Sequence, residues 1–192
     1  MRNIGRGVVI VLVMAAVMWV IQIINAVVFG QNLVQFGILP RVGDGLRGIL
    51  FAPLLHASYQ HLIGNTLPFL VLGGLLAARS VKDFVAVTII VWLFSGVGVW
   101  LFGAGNSYHV GASGVIFGYF GFLVARGIFE RQLVSILMAV AVAALYGGII
   151  VGLNPFAAHV SWVGHLYGLA SGAAAAFFMT RGNSMVGVEK AE

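Results

Sequence analysis

The sequence predicts an all-α fold, a polytopic bundle of six transmembrane helices, on three observations. Hydrophobic residues make up 61% of the chain and charged residues 8%, with a mean hydropathy of +1.07, far outside the usage of soluble domains. The apolar residues stand in long blocks along the whole length rather than at amphipathic spacing, a pattern for which lipid is the accommodating solvent. The ten Lys and Arg sit singly or in pairs between those blocks. Membrane topology explains the formal charge of +5 better than a nucleic-acid surface does. Cysteine is absent, which excludes disulfides, thiolate nucleophiles and cysteine-ligated metals together.

The first block, residues 8–29, follows a charged start that resembles a secretory signal. Its apolar core is too long for one and no A-x-A-like cleavage site closes it, so it reads as a retained membrane helix. Residues 30–60 are too long for a tight connection. They are rich in Gly, carry Pro40 and Pro53, and are expected in or against the outer interface. Five further spans follow at residues 62–78, 84–102, 113–125, 133–152 and 162–180. Residues 1–181 form one domain and 182–192 a polar tail. Arg2, Arg6, Arg79, Lys82, Arg126, Arg131, Arg181 and Lys190 fall on one side of these spans, and only Arg41 and Arg47 on the other. Positive residues are retained inside, so both termini are expected in the cytoplasm. The orientation and the six-span plan fit a prokaryotic plasma membrane.

The fourth span is short. With Arg126 as its inner edge it covers about 20 Å against roughly 30 Å of hydrocarbon, which places Ser113 about 10 Å below the outer surface. The same ruler, set at Arg181, puts His165 roughly 24 Å up from the inner edge. Set at Arg79, it puts Asn65 about 21 Å and His61 about 27 Å up. Three helices thus bring polar groups to one shallow, outward-facing layer.

In Gly111-Ala112-Ser113-Gly114 a hydroxyl opens a span, where the first backbone N–H groups lack intrahelical partners and can stabilise an oxyanion. Taken alone G-x-S-G is a weak signal, and a capping serine is its plainer reading. Gly164, Gly168 and Gly172 strip one face of the sixth span, and Gly114 and Gly118 do the same for the fourth. Close packing of these helices would carry the His165 imidazole to the Ser113 hydroxyl, as a general base requires. An ionisable residue within a span is costly and marks function by default. His61 and Asn65, at i and i+4, share a helical face and both can donate hydrogen bonds to a developing negative oxygen; interhelical hydrogen bonding is the alternative. Gln22 and Asn25 are expected to hydrogen-bond between helices, and His56, His109 and His159 to be structural or solvated. Trp19, Trp92, Trp100 and Trp162 fit interfacial belts.

The strings His61-Leu62-Ile63-Gly64-Asn65, Gly111-Ala112-Ser113-Gly114 and His165-Leu166-Tyr167-Gly168 resemble, in order, spacing and topology, the rhomboid intramembrane serine proteases. The resemblance covers about residues 56–172. It implies a Ser113–His165 dyad, with oxyanion stabilisation at the opening of the span by the Ser113 backbone N–H beside Ala112 and by the His61 and Asn65 side chains. It implies as well that Phe117 packs on the His165 ring, that the substrates are transmembrane segments of other proteins cut near the external face, and that no cofactor is used. Many members carry a Trp-Arg pair in the first external loop; here Arg41 and Arg47 have no neighbouring Trp. The chain looks like the minimal six-helix form.

Two rival functions use the same residues. A catalytically inactive relative that binds transmembrane segments would be expected to lose Ser113 or His165, and both are present. A small transporter would line a path with buried polar groups, yet the assigned spans hold no Asp, Glu, Lys or Arg. Other intramembrane proteases are excluded, since there is no H-E-x-x-H metal motif and no pair of intramembrane Asp residues.

Overall fold

The computed structural model of the chain describes residues 2–157 and 160–189, with side chains at 5–157 and 160–181. His159 and Lys190 lie outside the described residues. Six long helices and one short one account for the described chain: α1 (Arg2–Val27), α2 (Gly48–Phe51), α3 (Tyr59–Arg79), α4 (Val81–Phe102), α5 (Ser113–Glu130), α6 (Leu133–Tyr146) and α7 (Trp162–Glu189). Five helical segments, including α6 with the 3-10 turn that extends it to Leu153, are long and apolar enough to cross a membrane. The sixth long helix, α7, is less apolar because Gly164, His165, Gly168, Ser171 and Gly172 interrupt it. The chain is a multi-pass membrane protein.

Polarity is distributed for a hydrocarbon solvent. Val9, Leu12, Val13 and Val20 of α1 and Leu133, Val134, Leu137 and Val140 of α6 face outward, while Gln22, Asn25, Asn65, Thr88, Ser95 and His165 are buried. A surface of that kind is an aggregation hazard in water and an ordinary one in lipid. The helix α5 is the axis of the bundle: 61% of its span is buried, against 17% for α6 with its 3-10 extension. Tyr119 and Phe122 of α5 meet Leu62, Phe69, Leu72 and Leu76 of α3 and Phe84, Val87 and Val91 of α4 in one continuous core. The Tyr119 hydroxyl is satisfied by Thr88 at 2.8 Å.

Several span edges are corrected. The fourth span does not stop at Ala125, and α5 runs 18 residues to Glu130, about 27 Å. Arg126 is buried and pairs with Asp83 and Glu130, each at 2.7 Å. Arg79 joins the same knot through Glu130 and through Ser135 at 3.0 Å. With its charges compensated, the segment continues as helix. The fifth span leaves α-helical geometry at Gly147 and finishes as a 3-10 turn, Gly147–Leu153, where two consecutive glycines weaken α-helix propagation. Helix α7 passes beyond Thr180 to Glu189.

The loop between α1 and α3 is tightly built. Trp92 Nε1 donates to the Ile49 carbonyl at 2.8 Å and Trp100 Nε1 to the Val42 carbonyl at 2.9 Å. These two tryptophans fasten the loop to α4, a task beyond the interfacial belt expected of them, and Trp19 donates to Thr66 of α3 at 3.1 Å. Arg41 donates to the Gly103 carbonyl at 2.8 Å, satisfying the open C-terminal end of α4. The tryptophan that partners Arg41 thus comes from α4, since the Arg41 N–H also donates to the Trp100 carbonyl at 2.9 Å. Gln22 and Asn25 are buried as expected, but their bonds go to the turn after α1 rather than to another helix. Both amides donate to Gln31 Oε1, at 3.1 and 3.0 Å, and Asn25 Oδ1 accepts from Leu33 N–H at 2.9 Å.

Candidate active site

Backbone geometry presents Ser113 at the first position of α5. Gly111 has φ of +115°, a left-handed conformation that glycine adopts without steric cost, and its N–H donates to the Ala52 carbonyl at 2.8 Å. The preceding strand-like pair, Ile38 with His109, closes through bonds of 3.0 and 2.9 Å. Ala112 caps the helix without a side-chain bond, and its carbonyl accepts from Ile116 N–H at 3.0 Å. The N–H groups of the first turn, that of Ser113 included, precede any intrahelical acceptor.

Close packing then delivers the histidine. A side chain at Gly168 or Gly172 of α7 would collide with the carbonyls of Gly114 and Gly118 of α5. The glycines of α5 make room for α4 as well as for α7, whose Leu169 carbonyl takes the space at Gly121. The space at Gly114 is taken by Ser95, and that at Gly118 by Val91, both of α4. Gly164 likewise admits Val99 of α4. Helix α5 is therefore gripped on two faces, by α4 against its missing side chains and by α7 against its carbonyls.

The structure brings Ser113 and His165 together, with Oγ 2.8 Å from Nε2. The Phe117 ring stacks on the imidazole with centroids 4.1 Å apart and planes 6° from parallel. Nδ1 of His165 lies 2.8 Å from the Gly152 carbonyl oxygen. That acceptor is a backbone group on a segment distant in sequence, and no residue type signals it. Both Ser113 and His165 open into a cavity of about 680 Å³, which His61, Asn65, Gly64 and Pro68 of α3 also line.

His61 and Asn65 face the Gly111 turn: a Cβ built on Gly111 would touch the His61 ring and lie 3.4 Å from Asn65 Nδ2. Ser58 caps α3 by accepting from the His61 N–H at 3.1 Å, which fixes His61 in the first turn and Asn65 in the next. Asn65 is buried, and among the described residues its Nδ2 has no hydrogen-bond partner. An unpaired buried amide donor costs about 1–3 kcal/mol. It is a donor available to an incoming group.

Two further histidines support the site. His109 bonds Ser161 at 2.8 Å and the Ala104 carbonyl at 3.0 Å, which ties the turn before Ser113 to the start of α7. His56 is fully buried rather than solvated, and its ring meets that of His61 edge-on at 5.1 Å. Burial first, and the adjacent His61 second, push its pKa down to about 3 against a partial offset from the Leu54 backbone. His56 is therefore a neutral wedge behind His61 at any physiological pH.

The chain is similar throughout most of its length to proteins of one family. The Rhomboid domain matches residues 44–182. An uncharacterized protein of Mycobacterium tuberculosis is 40% identical over 178 residues, which span 88% of this chain and 74% of the relative. An uncharacterized protein of Mycobacterium leprae is 40% identical over 182 residues, 91% of this chain and 72% of the relative. With the domain matched from the loop before α2 to the last helix, the chain belongs to the rhomboid family.

Proposed function

We propose that the chain is an intramembrane serine endopeptidase that cleaves transmembrane segments near the external face, with Ser113 as nucleophile and His165 as general base. The observation that carries this reading is the 2.8 Å contact between Ser113 Oγ and His165 Nε2, made between two helices at the wall of an open cavity that His61 and Asn65 also line. A hydroxyl buried against an imidazole could be a structural bond, but here both groups line a space large enough to admit a peptide segment.

The reaction follows from the geometry. As Ser113 Oγ attacks the scissile carbonyl carbon, its proton passes to His165 Nε2. The carbonyl oxygen becomes an oxyanion, and the Ser113 N–H with the His61 and Asn65 side chains supply the donors it needs. Collapse expels the amine, which takes the proton from Nε2, and leaves an acyl-enzyme on Ser113. Water then enters the cavity and attacks the acyl carbon as Nε2 takes its proton; collapse breaks the bond to Ser113 Oγ, which recovers that proton from Nε2, and releases the acid. The external opening of the cavity and cytoplasmic termini in a prokaryotic plasma membrane belong to this proposal, supported by the distribution of Arg and Lys.

The test is purified wild type against Ser113→Ala and His165→Ala with a transmembrane substrate in detergent or vesicles. Loss of cleavage in both variants, with both still folded, is the expected result. Persistence of cleavage in either one refutes the dyad.

A further inference from the structure

We propose that Gly152 is a positioning residue for the dyad, acting through its backbone carbonyl and through the side chain it lacks. This rests on the reading of Ser113 and His165 given above. Two observations on different atoms support it.

The first concerns the proton. A carbonyl oxygen only accepts, so the 2.8 Å contact between His165 Nδ1 and the Gly152 oxygen assigns the proton of neutral imidazole to Nδ1. Nε2 is then the free acceptor that the Ser113 hydroxyl requires. In a triad a carboxylate performs this orienting task. Among the described residues the side-chain hydrogen bonds of His165 go to Ser113 and Gly152, so the carbonyl stands where the carboxylate would.

The second concerns space. A Cβ at 152 would lie 2.9 Å from His165 Nδ1 and 3.0 Å from Phe117 Cζ. The backbone there is not in the left-handed region, so the demand for glycine is steric. Any side chain would either push the imidazole off Phe117 or lift the 3-10 turn off α7, and each movement breaks the carbonyl contact. The turn that carries Gly152 is lightly held, with Ile150 and Val151 exposed on the least buried span of the bundle. Seating of that turn is thus a condition for an oriented base.

The experiment compares wild type, Gly152→Ala, Gly148→Ala and a protein in which the α-hydroxy acid analogue of Leu153 converts the 152–153 amide into an ester. The ester weakens the Gly152 carbonyl as an acceptor without adding bulk. Gly148 lies in the same turn, and a Cβ there meets nothing within 4 Å. Turnover and KM on a transmembrane substrate, thermal unfolding, and the ¹⁵N resonances of the His165 ring are measured together. We expect kcat to fall roughly 10²-fold in Gly152→Ala, as for an angstrom-scale misplacement of a reacting group, with KM little changed. We expect a smaller fall in the ester, loss of the pure Nδ1–H signature in both, and wild-type behaviour in Gly148→Ala. Should Gly152→Ala fail to fold, the ester decides. Wild-type turnover in the ester, or reduced turnover with the Nδ1–H signature intact, overturns the proposal. Ser113→Ala and His165→Ala run in the same assay separate the two levels: cleavage persisting there refutes the dyad itself, whereas cleavage abolished there with wild-type Gly152 variants refutes only the positioning role.

Discussion

At the scale of the residue, Asn65 is the most informative position outside the dyad. Its buried amide donor lacks a partner among the described residues, an unfavourable state that a negative oxygen beside the Gly111 turn would relieve. Such an interaction strengthens as charge develops, so it belongs to the transition state rather than to substrate binding. Asn65→Ala is expected to lower kcat by about 10²-fold while leaving KM nearly unchanged, read by steady-state cleavage kinetics. An equal loss of substrate binding would contradict the assignment. The identities of Ser113, His165, His61 and Asn65 were legible because each is a polar group stranded in an apolar block. The Gly152 carbonyl was not, since every residue has one and only tertiary structure selects which is used. Of the two readings offered for His56, structural or solvated, burial selects the first, since a connection in sequence is not necessarily a surface in space.

At the scale of the element, the pairing of α5 with α7 sets the distance between nucleophile and base. Gly168 and Gly172 let α7 rest on the α5 backbone, and the dyad contact follows two turns along from Gly172. Gly172→Leu forces the helices apart at their closest point. We expect cleavage to be lost and thermal stability in detergent to fall by roughly 1–3 kcal/mol, the usual cost of overpacking. Retention of both would show that the helices are held together elsewhere. The sequence made the small-residue stripes plain and with them the contact of α5 with α7, but not that Ser95 and Val91 of α4 fill the space at Gly114 and Gly118, because a glycine announces that something approaches and not everything that does. Helix ends failed for a similar reason. Arg126 marks a lipid boundary only if it is unpaired, and its pairing with Asp83, 43 residues away, is a long-range fact.

At the scale of the whole molecule, the number and order of helices followed from hydropathy alone, because the bilayer fixes both length and composition of a spanning segment. The loop between α1 and α3 did not follow, since its 3-10 turns depend on Trp92, Trp100 and Arg41 contacts made from another helix or to it. Orientation is testable directly. Single cysteines introduced beside Arg47 and beside Arg131 are expected to react with an impermeant thiol reagent from opposite sides of sealed vesicles, and reaction of both from the same side would reverse the reading of the charge distribution.

The charged knot of Arg79, Asp83, Arg126 and Glu130, joined by Ser135, gathers the ends of four helices, α3 to α6, at the pole of α5 remote from Ser113. At the opposite pole the helices and loops of the described residues are laced by hydrogen bonds rather than ion pairs, such as His109 with Ser161, His165 with Gly152 and Arg41 with the Gly103 carbonyl. A bundle clenched at its base and merely stitched at its rim will part from the rim downward, like the petals of a tulip. On the function proposed above, a transmembrane segment would enter at that loosely held end while the stem of the molecule keeps its shape.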